Sequence, residues 1–237
     1  MRFDQPLLAG RLIRRYQRFL ADVELADGQL ITVHCPNSGS MLGCREPGSP
    51  VLLARAANPR RKYPYTWELV QSHGVWVGIN TARTNALVRE ALAAGVIKEL
   101  PPPAAIRAEV RVSPRSRLDF LLDYGPGRQT YLEVKNCTLV EDGVALFPDA
   151  VTSRGARHLE ELLALRRAGH GAAVLFCVQR GDACSFASAA AIDPAYAAAL
   201  VRAAAGGVLV LAYRATPAPA GIVVDTPLPV VWPGNFG

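Results

Sequence analysis

No stretch of this 237-residue chain is apolar for long enough to cross a membrane, since Asp193 and Pro194 interrupt the best candidate run. No signal peptide is visible either, because Leu7, Leu8 and Ala9 give way at once to Arg11, Arg14, Arg15 and Arg18. Cysteine is scarce: Cys35, Cys44, Cys137, Cys177 and Cys184 are odd in number and form no C-x-x-C pair. That excludes a disulfide framework and a zinc ribbon, and the five read as reduced core or strand residues. His34 beside Cys35 makes no metal pair, because adjacent strand residues point to opposite faces. What remains is a soluble, cytoplasmic protein without a membrane partner. Half of its residues are hydrophobic, which excludes disorder, and the length allows one large or two modest domains.

Charge is present and unevenly placed. Of the 26 Lys and Arg and 20 Asp and Glu, residues 1–62 hold ten basic against five acidic, leaving sixteen against fifteen for the remainder. The net charge of +6 therefore lies mostly at the N-terminal end, where it attracts polyanions such as a nucleic-acid backbone.

Along the first eighty residues, short strands alternate with turns: 7–15, 19–25, 29–35, 51–56, 66–71 and 75–80, with Ala26-Asp27-Gly28 as one turn. Five or six short strands at this spacing make a small barrel, OB-like or SH3-like. Two clusters on it mix cations with rings on which bases can stack: Arg11, Arg14, Arg15, Tyr16 and Arg18, then Arg55, Arg60, Arg61 and Lys62 followed by Tyr63, Tyr65 and Trp67. Any one of these residues could be solvated surface or core, but two clusters in one small domain favour nucleic acid. Asn37-Ser38-Gly39-Ser40 is either a turn or a backbone nest for phosphate.

The texture changes near residue 80, which sets the expected boundary between units 1–80 and 81–237. Ala86, Leu87, Val88, Ala91, Leu92 and Ala94 repeat at helical spacing up to Gly95, and Pro101-Pro102-Pro103 is a stiff spacer. A strand follows at 106–112, with Arg107, Glu109 and Arg111 on one side. The stretch Ser116 to Leu139 then organises the rest of the chain. Leu118, Phe120, Leu122 and Tyr124 share one side of a strand, leaving Asp119 on the more polar side; in the next strand Tyr131, Glu133 and Lys135 share a face. Gly125-Pro126-Gly127-Arg128 joins the two as a hairpin. An odd-length loop pairs Asp119 with Lys135 and keeps Leu118, Phe120, Leu122, Leu132 and Val134 on one apolar face, whereas an even loop scatters the charges.

Two carboxylates held a few ångströms apart repel unless a hard cation or a shared proton lies between them. Magnesium, or manganese, is the natural occupant of Asp119 and Glu133, with Lys135 polarising water or steadying phosphate. The alternative is an exposed strand salt bridge between Lys135 and a carboxylate. Thr152 or Ser153 caps a helix reaching about Arg167, whose Leu159, Leu162 and Leu163 form its buried stripe; Arg154 and His158 stack near its positive end as an anion clamp. Residues 143–147 make a short strand or loop. Buried strands at 172–178 and 208–213 flank an alanine-rich helix at 195–205, and an extended Pro-rich tail follows Arg214.

Several of these motifs resemble the sugar fermentation stimulation protein (SfsA) family in the order in which they occur. They are His34-Cys35-Pro36-Asn37-Ser38-Gly39 with Met41, Asn85-Leu87-Val88-Glu90-Ala91, Ser116-Arg117-Leu118-Asp119-Phe120, Glu133-Val134-Lys135-Asn136 with Thr138-Leu139, and Phe147-Pro148-Asp149-Ala150-Val151-Thr152 with Arg154-Gly155 and His158-Leu159. The resemblance implies an OB-like barrel that binds DNA, followed by a restriction-endonuclease-like α/β core, a mixed sheet flanked by helices, of the PD-(D/E)XK nuclease type. It implies catalytic roles for Asp119, Glu133 and Lys135, an assisting acid at Glu90, and His158 at the scissile phosphate. Leu118 stands where that motif has its proline. Arg11, Arg14, Arg15, Arg18, Asn37, Ser38, Arg60, Arg61, Lys62 and Arg154 are the expected nucleic-acid contacts. The expectation is therefore a Mg2+- or Mn2+-dependent nuclease acting on DNA, or RNA, without strong sequence preference. The alternative is a non-catalytic DNA-binding regulator of sugar metabolism genes that retains a remnant acidic site. Oligomeric state stays open, with a homodimer among the options.

Overall fold

The computed structural model describes residues 1–114 and 116–232; residues 233–237 of the expected second unit lie outside them. Six strands fill the first eighty residues: Leu8–Tyr16 (β1), Leu20–Leu25 (β2), Leu30–His34 (β3), Pro50–Arg55 (β4), Tyr65–Ser72 (β5) and Val75–Gly78 (β6). They run in the order β3-β2-β1-β4-β5-β6, and a parallel bridge from His34 to Thr66 joins β3 to β5, closing the first five into a barrel. Alternation explains the closure, since Leu12, Val23, Val33, Leu53 and Trp67 all point inward and are fully buried. Trp67 satisfies its indole N–H on the Leu69 carbonyl at 2.9 Å.

A short 3-10 turn, Thr81–Arg83, leads into helix α1, Thr84–Ala93. The second unit is built on a six-stranded mixed sheet of Ala105–Ser113 (β7), Ser116–Asp123 (β8), Gln129–Cys137 (β9), Gly171–Val178 (β12), Leu209–Ala218 (β14) and Gly221–Leu228 (β15), in the order β15-β14-β12-β9-β8-β7. The strands β9, β12 and β14 are parallel and central; β7, β8 and β15 are antiparallel additions. Helices Ser153–Arg167 (α2) and Pro194–Ala205 (α3) cover one face and α1 the other. A second sheet, Leu139–Glu141 (β10), Val144–Phe147 (β11), Ser185–Ser188 (β13) and Val230–Val231 (β16), lies beside them.

The barrel has a core of its own, and the sheet's α1-side core reaches into it. Leu52 and Leu69 of the barrel are buried in the same cluster as Leu87, Val88, Phe120, Val134 and Tyr213. The Gly78 N–H donates to the Gln179 carbonyl at 2.9 Å, and an added Cβ on Gly78 would stand 2.3 Å from Gln179 Oε1. The first residues pack on the far edge: Phe3 donates its N–H to the Ala220 carbonyl, and Arg2 bridges Gly221.

Three expectations change. The segment after Arg214 is no tail: β14 continues to Ala218 and turns into β15, which pairs with it along its length. Pro227 is tolerated because β15 is an edge strand, and Pro217 because β14 has by then run past its pairing with β12. The sheet containing β13 and β16 was not foreseen, since strands of four and two residues carry too little alternation to be seen. Four cysteines are buried, as expected of reduced core residues, but Cys184 is exposed.

Candidate functional site

The hairpin of β8 and β9 closes on a five-residue loop, Tyr124 to Arg128, with Asp123 opposite Gln129. The odd length is as the apolar pattern requires, but the register lies two residues from the expected one. The ladder ends at Phe120 opposite Leu132, so Asp119 faces the Glu133 position rather than Lys135. Beyond that pair the strands part, and Asp119 turns into the gap: its Oδ2 accepts the Val134 N–H at 2.8 Å and its Oδ1 accepts from Asn85 Nδ2 at 2.9 Å. The same parting breaks the alternation of β8. Phe120 and Leu122 pack on the α1 side with Leu132 and Val134, whereas Leu118, expected among them, is buried on the α2 side.

Glu133 is the most constrained group. Its Oε1 accepts from Lys135 Nζ at 2.6 Å and from His158 Nδ1. Its Oε2 is buried with no partner among the described residues. The imidazole is buried, and its Nε2 accepts from Arg154 Nε at 3.4 Å, which leaves Nδ1 as the protonated nitrogen facing Glu133. With both ring nitrogens engaged, His158 stands behind Glu133.

Electrostatics push the two carboxyls apart. Burial raises Asp119 above the ordinary aspartate range, and the charge of Glu133 raises it further, against the Val134 and Asn85 hydrogen bonds and the charge of Lys135. Burial would raise Glu133 as well, but the His158 hydrogen bond and the Lys135 charge outweigh it and hold Glu133 low. Among the described residues no set of three or more His, Cys, Asp and Glu side chains stands close enough to hold a metal. Asp119 and Glu133 are thus the two carboxylates available. They fit a hard cation, since a partnerless buried carboxylate oxygen lies beside an acid whose ionisation its neighbour opposes.

Other sequence candidates sit elsewhere. The Glu90 carboxylate, 60% exposed, pairs with the Met1 ammonium at 2.9 Å and does not join the cluster. Arg15 Nη2 donates to the carbonyls of Arg18, Asn37 and Gly39 at 2.8–3.0 Å, so it braces a loop. Asn37 is buried, and its Oδ1 accepts the Gly39 N–H in an Asx turn. Arg11 donates to the Gly48 carbonyl, and Arg14 pairs with Asp22 at 2.9 Å over the Tyr16 ring. Arg61 donates to Thr66 Oγ1 and Lys62 lies over Tyr63, while Arg18, Ser38 and Arg60 are exposed.

Sequence reasoning missed the groups that hold these residues. Asn85 fixes Asp119, and its place in the Asn85-Leu87-Val88-Glu90-Ala91 motif is the available signal. Asp149 ties the two units, accepting from Ser40 Oγ at 2.8 Å and from the Met41 N–H at 3.0 Å. Gln179 Nε2 donates to Asn136 Oδ1 and to Thr84 Oγ1, a buried link that nothing in the local pattern announces.

Comparison with known proteins agrees with this architecture. Residues 13–79 match the family model described as the SfsA N-terminal OB domain, and residues 82–221 match the sugar fermentation stimulation protein RE domain. A sugar fermentation stimulation protein homolog from Pelobacter propionicus is 57% identical over 226 residues, covering 95% of this chain and 98% of the relative. One from Citrifermentans bemidjiense is 54% identical over 231 residues, covering 98% and 100%. The solved structure of Pyrococcus furiosus SfsA in complex with Ca2+ superposes with a TM-score of 0.89 at 26% identity, covering 98% of both chains. With both of its units matched in order, and curated relatives more than half identical over nearly their whole length, the chain belongs to the SfsA family of sugar fermentation stimulation proteins.

Proposed function

We propose that this cytoplasmic protein binds nucleic acid through its basic barrel and presents to it a magnesium-dependent phosphodiesterase site formed by Asp119, Glu133 and Lys135. One observation carries the reading: Glu133 Oε2 is buried and partnerless beside Asp119, whose carboxyl burial and the Glu133 charge hold up. Ionising Asp119 beside it is unfavourable until a cation joins the two. The complex of the Pyrococcus furiosus relative with Ca2+ supports a hard-cation preference, because calcium and magnesium both select oxygen ligands.

Asp119 and Glu133 would hold the ion, with water and phosphate oxygens completing its shell. Bound there, magnesium supplies charge neutralisation and polarisation of a phosphoryl oxygen. The chain's own groups do the rest. Asn85 and the Val134 N–H hold Asp119 in place, and His158 orients Glu133 as a positioning residue. Lys135 Nζ lies 2.6 Å from Glu133 Oε1 and 3.5 Å from His158 Nδ1 and can hold the attacking water or a phosphate oxygen. The barrel and Arg154 supply the cations that neutralise the backbone.

A second reading rests on a specific contact. Lys135 and His158 both already sit on Glu133 Oε1, so Glu133 is compensated without metal, as a non-catalytic DNA-binding regulator of sugar metabolism genes would allow. The test is cleavage of labelled single- and double-stranded DNA and RNA with magnesium or manganese, comparing wild type, Asp119→Ala and Lys135→Ala. Loss of products by at least about a hundredfold in both variants, with binding retained, is the expected result. No products from wild type with either metal, together with tight, salt-sensitive and metal-independent binding, would leave the regulator.

A further inference from the structure

A cleft of about 610 Å³ opens between barrel and sheet, and the phosphodiesterase reading does not account for it. Arg18 and Arg45 line its barrel wall, and Asn136, Thr138, Val151 and Thr152 line the wall opposite. Both guanidiniums are exposed, and neither has a hydrogen-bond or ion-pair partner among the described residues. Arg18 is aimed by its backbone: Gln17 and Arg18 both adopt left-handed conformations, at φ 48° and 62°, and the Arg18 carbonyl is held by Arg15. Phe19, the next residue in the chain after Arg18, leaves 48% of its surface in solvent, and Val151 on the opposite wall is 76% exposed.

The second basic cluster lies across the end of β3 from the turn that carries Arg18. His34 pairs with Leu20 on one side and with Thr66 on the other, Arg61 donates to Thr66 Oγ1, and Cys35 donates its N–H to the Phe19 carbonyl. The loop carrying Arg60, Arg61 and Lys62 and the turn carrying Arg18 and Phe19 therefore flank the end of β3. At the inner end, Asn136 directly follows Lys135 on β9, and Thr152 caps the helix that carries Arg154 and His158.

We infer that this cleft takes a single-stranded nucleic acid, with a base stacked on Phe19 and backbone phosphates on Arg18 and Arg45, and leads it toward Lys135. Strandedness follows from size and chemistry. A duplex whose major groove alone is about 12 Å across does not enter a cleft of this volume. An exposed ring such as Phe19 stacks only on bases that are already unstacked. The destination of the strand rests on the phosphodiesterase reading; its binding in the cleft does not.

The test measures fluorescence anisotropy of the full chain in chelator, so that cleavage plays no part. Probes are labelled oligodeoxythymidylate and oligouridylate of about twelve nucleotides, and a blunt duplex of that length. Wild type is expected to prefer either single strand to the duplex, and the tighter of the two identifies the sugar. Phe19→Ala should weaken single-strand binding roughly tenfold and leave the duplex unchanged. Arg18→Ala should weaken it too, whereas Arg202→Ala, which removes the same charge from the exposed side of α3, should not. A duplex bound as tightly as the single strands, or single-strand affinities unaltered in both cleft variants, would overturn the inference. Failure of the phosphodiesterase reading shows separately, as absent products with the anisotropy results unchanged.

Discussion

At the scale of single residues, the site is a balance of two acids with opposite proton preferences. The folded protein raises Asp119, so it keeps that proton to higher pH than the unfolded chain does. The stability contributed by this group is present below the ordinary aspartate value and is lost as pH rises through the raised one. Glu133 is held low, so its contribution is present above the ordinary glutamate value and is lost as pH falls through the lowered one. Asp119→Asn should therefore melt higher than wild type in chelator at neutral pH, with the gap closing as the medium is acidified. The variant should also lose stabilisation by magnesium or calcium. Thermal melts across pH check both, and a variant less stable than wild type at neutral pH would refute the first.

The thiols give a second prediction at this scale. Burial pushes Cys44 and Cys177 up to about 12 and raises Cys137 as well, so none of these three offers a thiolate near neutrality. Cys35 is also buried, whereas Cys184 is exposed. Titration of the native protein with a thiol reagent should count one reactive cysteine, and titration after denaturation five. Two or more fast thiols in the native state would contradict the packing.

At the scale of elements, the helices carrying and backing the site are held by their first turns. Thr152 caps α2 through the Gly155 N–H, and Asp193 caps α3 through the Tyr196 N–H. Asp193 also accepts the Thr152 N–H at 2.8 Å, so one buried carboxylate secures the start of both helices. Asp193→Ala should cost on the order of 2 kcal/mol in denaturant unfolding and, through α2, loosen His158 behind Glu133. A loss no larger than that of an exposed substitution would show that α2 is capped by other means. The cap of α2 was legible as Thr152 before a helical stripe. That Asp193 serves both helices was not, because the two starts meet only through tertiary packing.

At the scale of the whole molecule, barrel and sheet do not stand as independent units. Leu52 and Leu69 lie in the core that surrounds Phe120 and Val134, and Asp149 and Gln179 bind across the junction. Unfolding should show a single cooperative transition by both tryptophan fluorescence, which reports Trp67 in the barrel together with Trp76 and Trp232 against the sheet's cores, and far-UV circular dichroism. Two separated transitions would mean that the shared core contributes little. Gly78→Ala forces a Cβ against Gln179 Oε1 and should lower the common midpoint, by about 1–3 kcal/mol of stability.

Local pattern was enough for the barrel strands, the buried β12, the three helices and the two acidic strands, because alternation, helical spacing and caps are read within a few residues. It also placed Glu133 and Lys135 on one face and required an odd hairpin loop. Tertiary structure decided the rest. Asp119 faces Glu133 because the ladder pairs Phe120 with Leu132, two residues from the register that would set it opposite Lys135, and Leu118 packs on the α2 side. Glu90 lies with the N-terminal ammonium, and Arg15 and Asn37 are turned to the backbone of their own loop. Each of these outcomes depends on which partner is nearest in space across the strand gap, the sheet edge or the domain junction. A sequence specifies the face a side chain points to, but the free energy of a charged group is set by what it meets there.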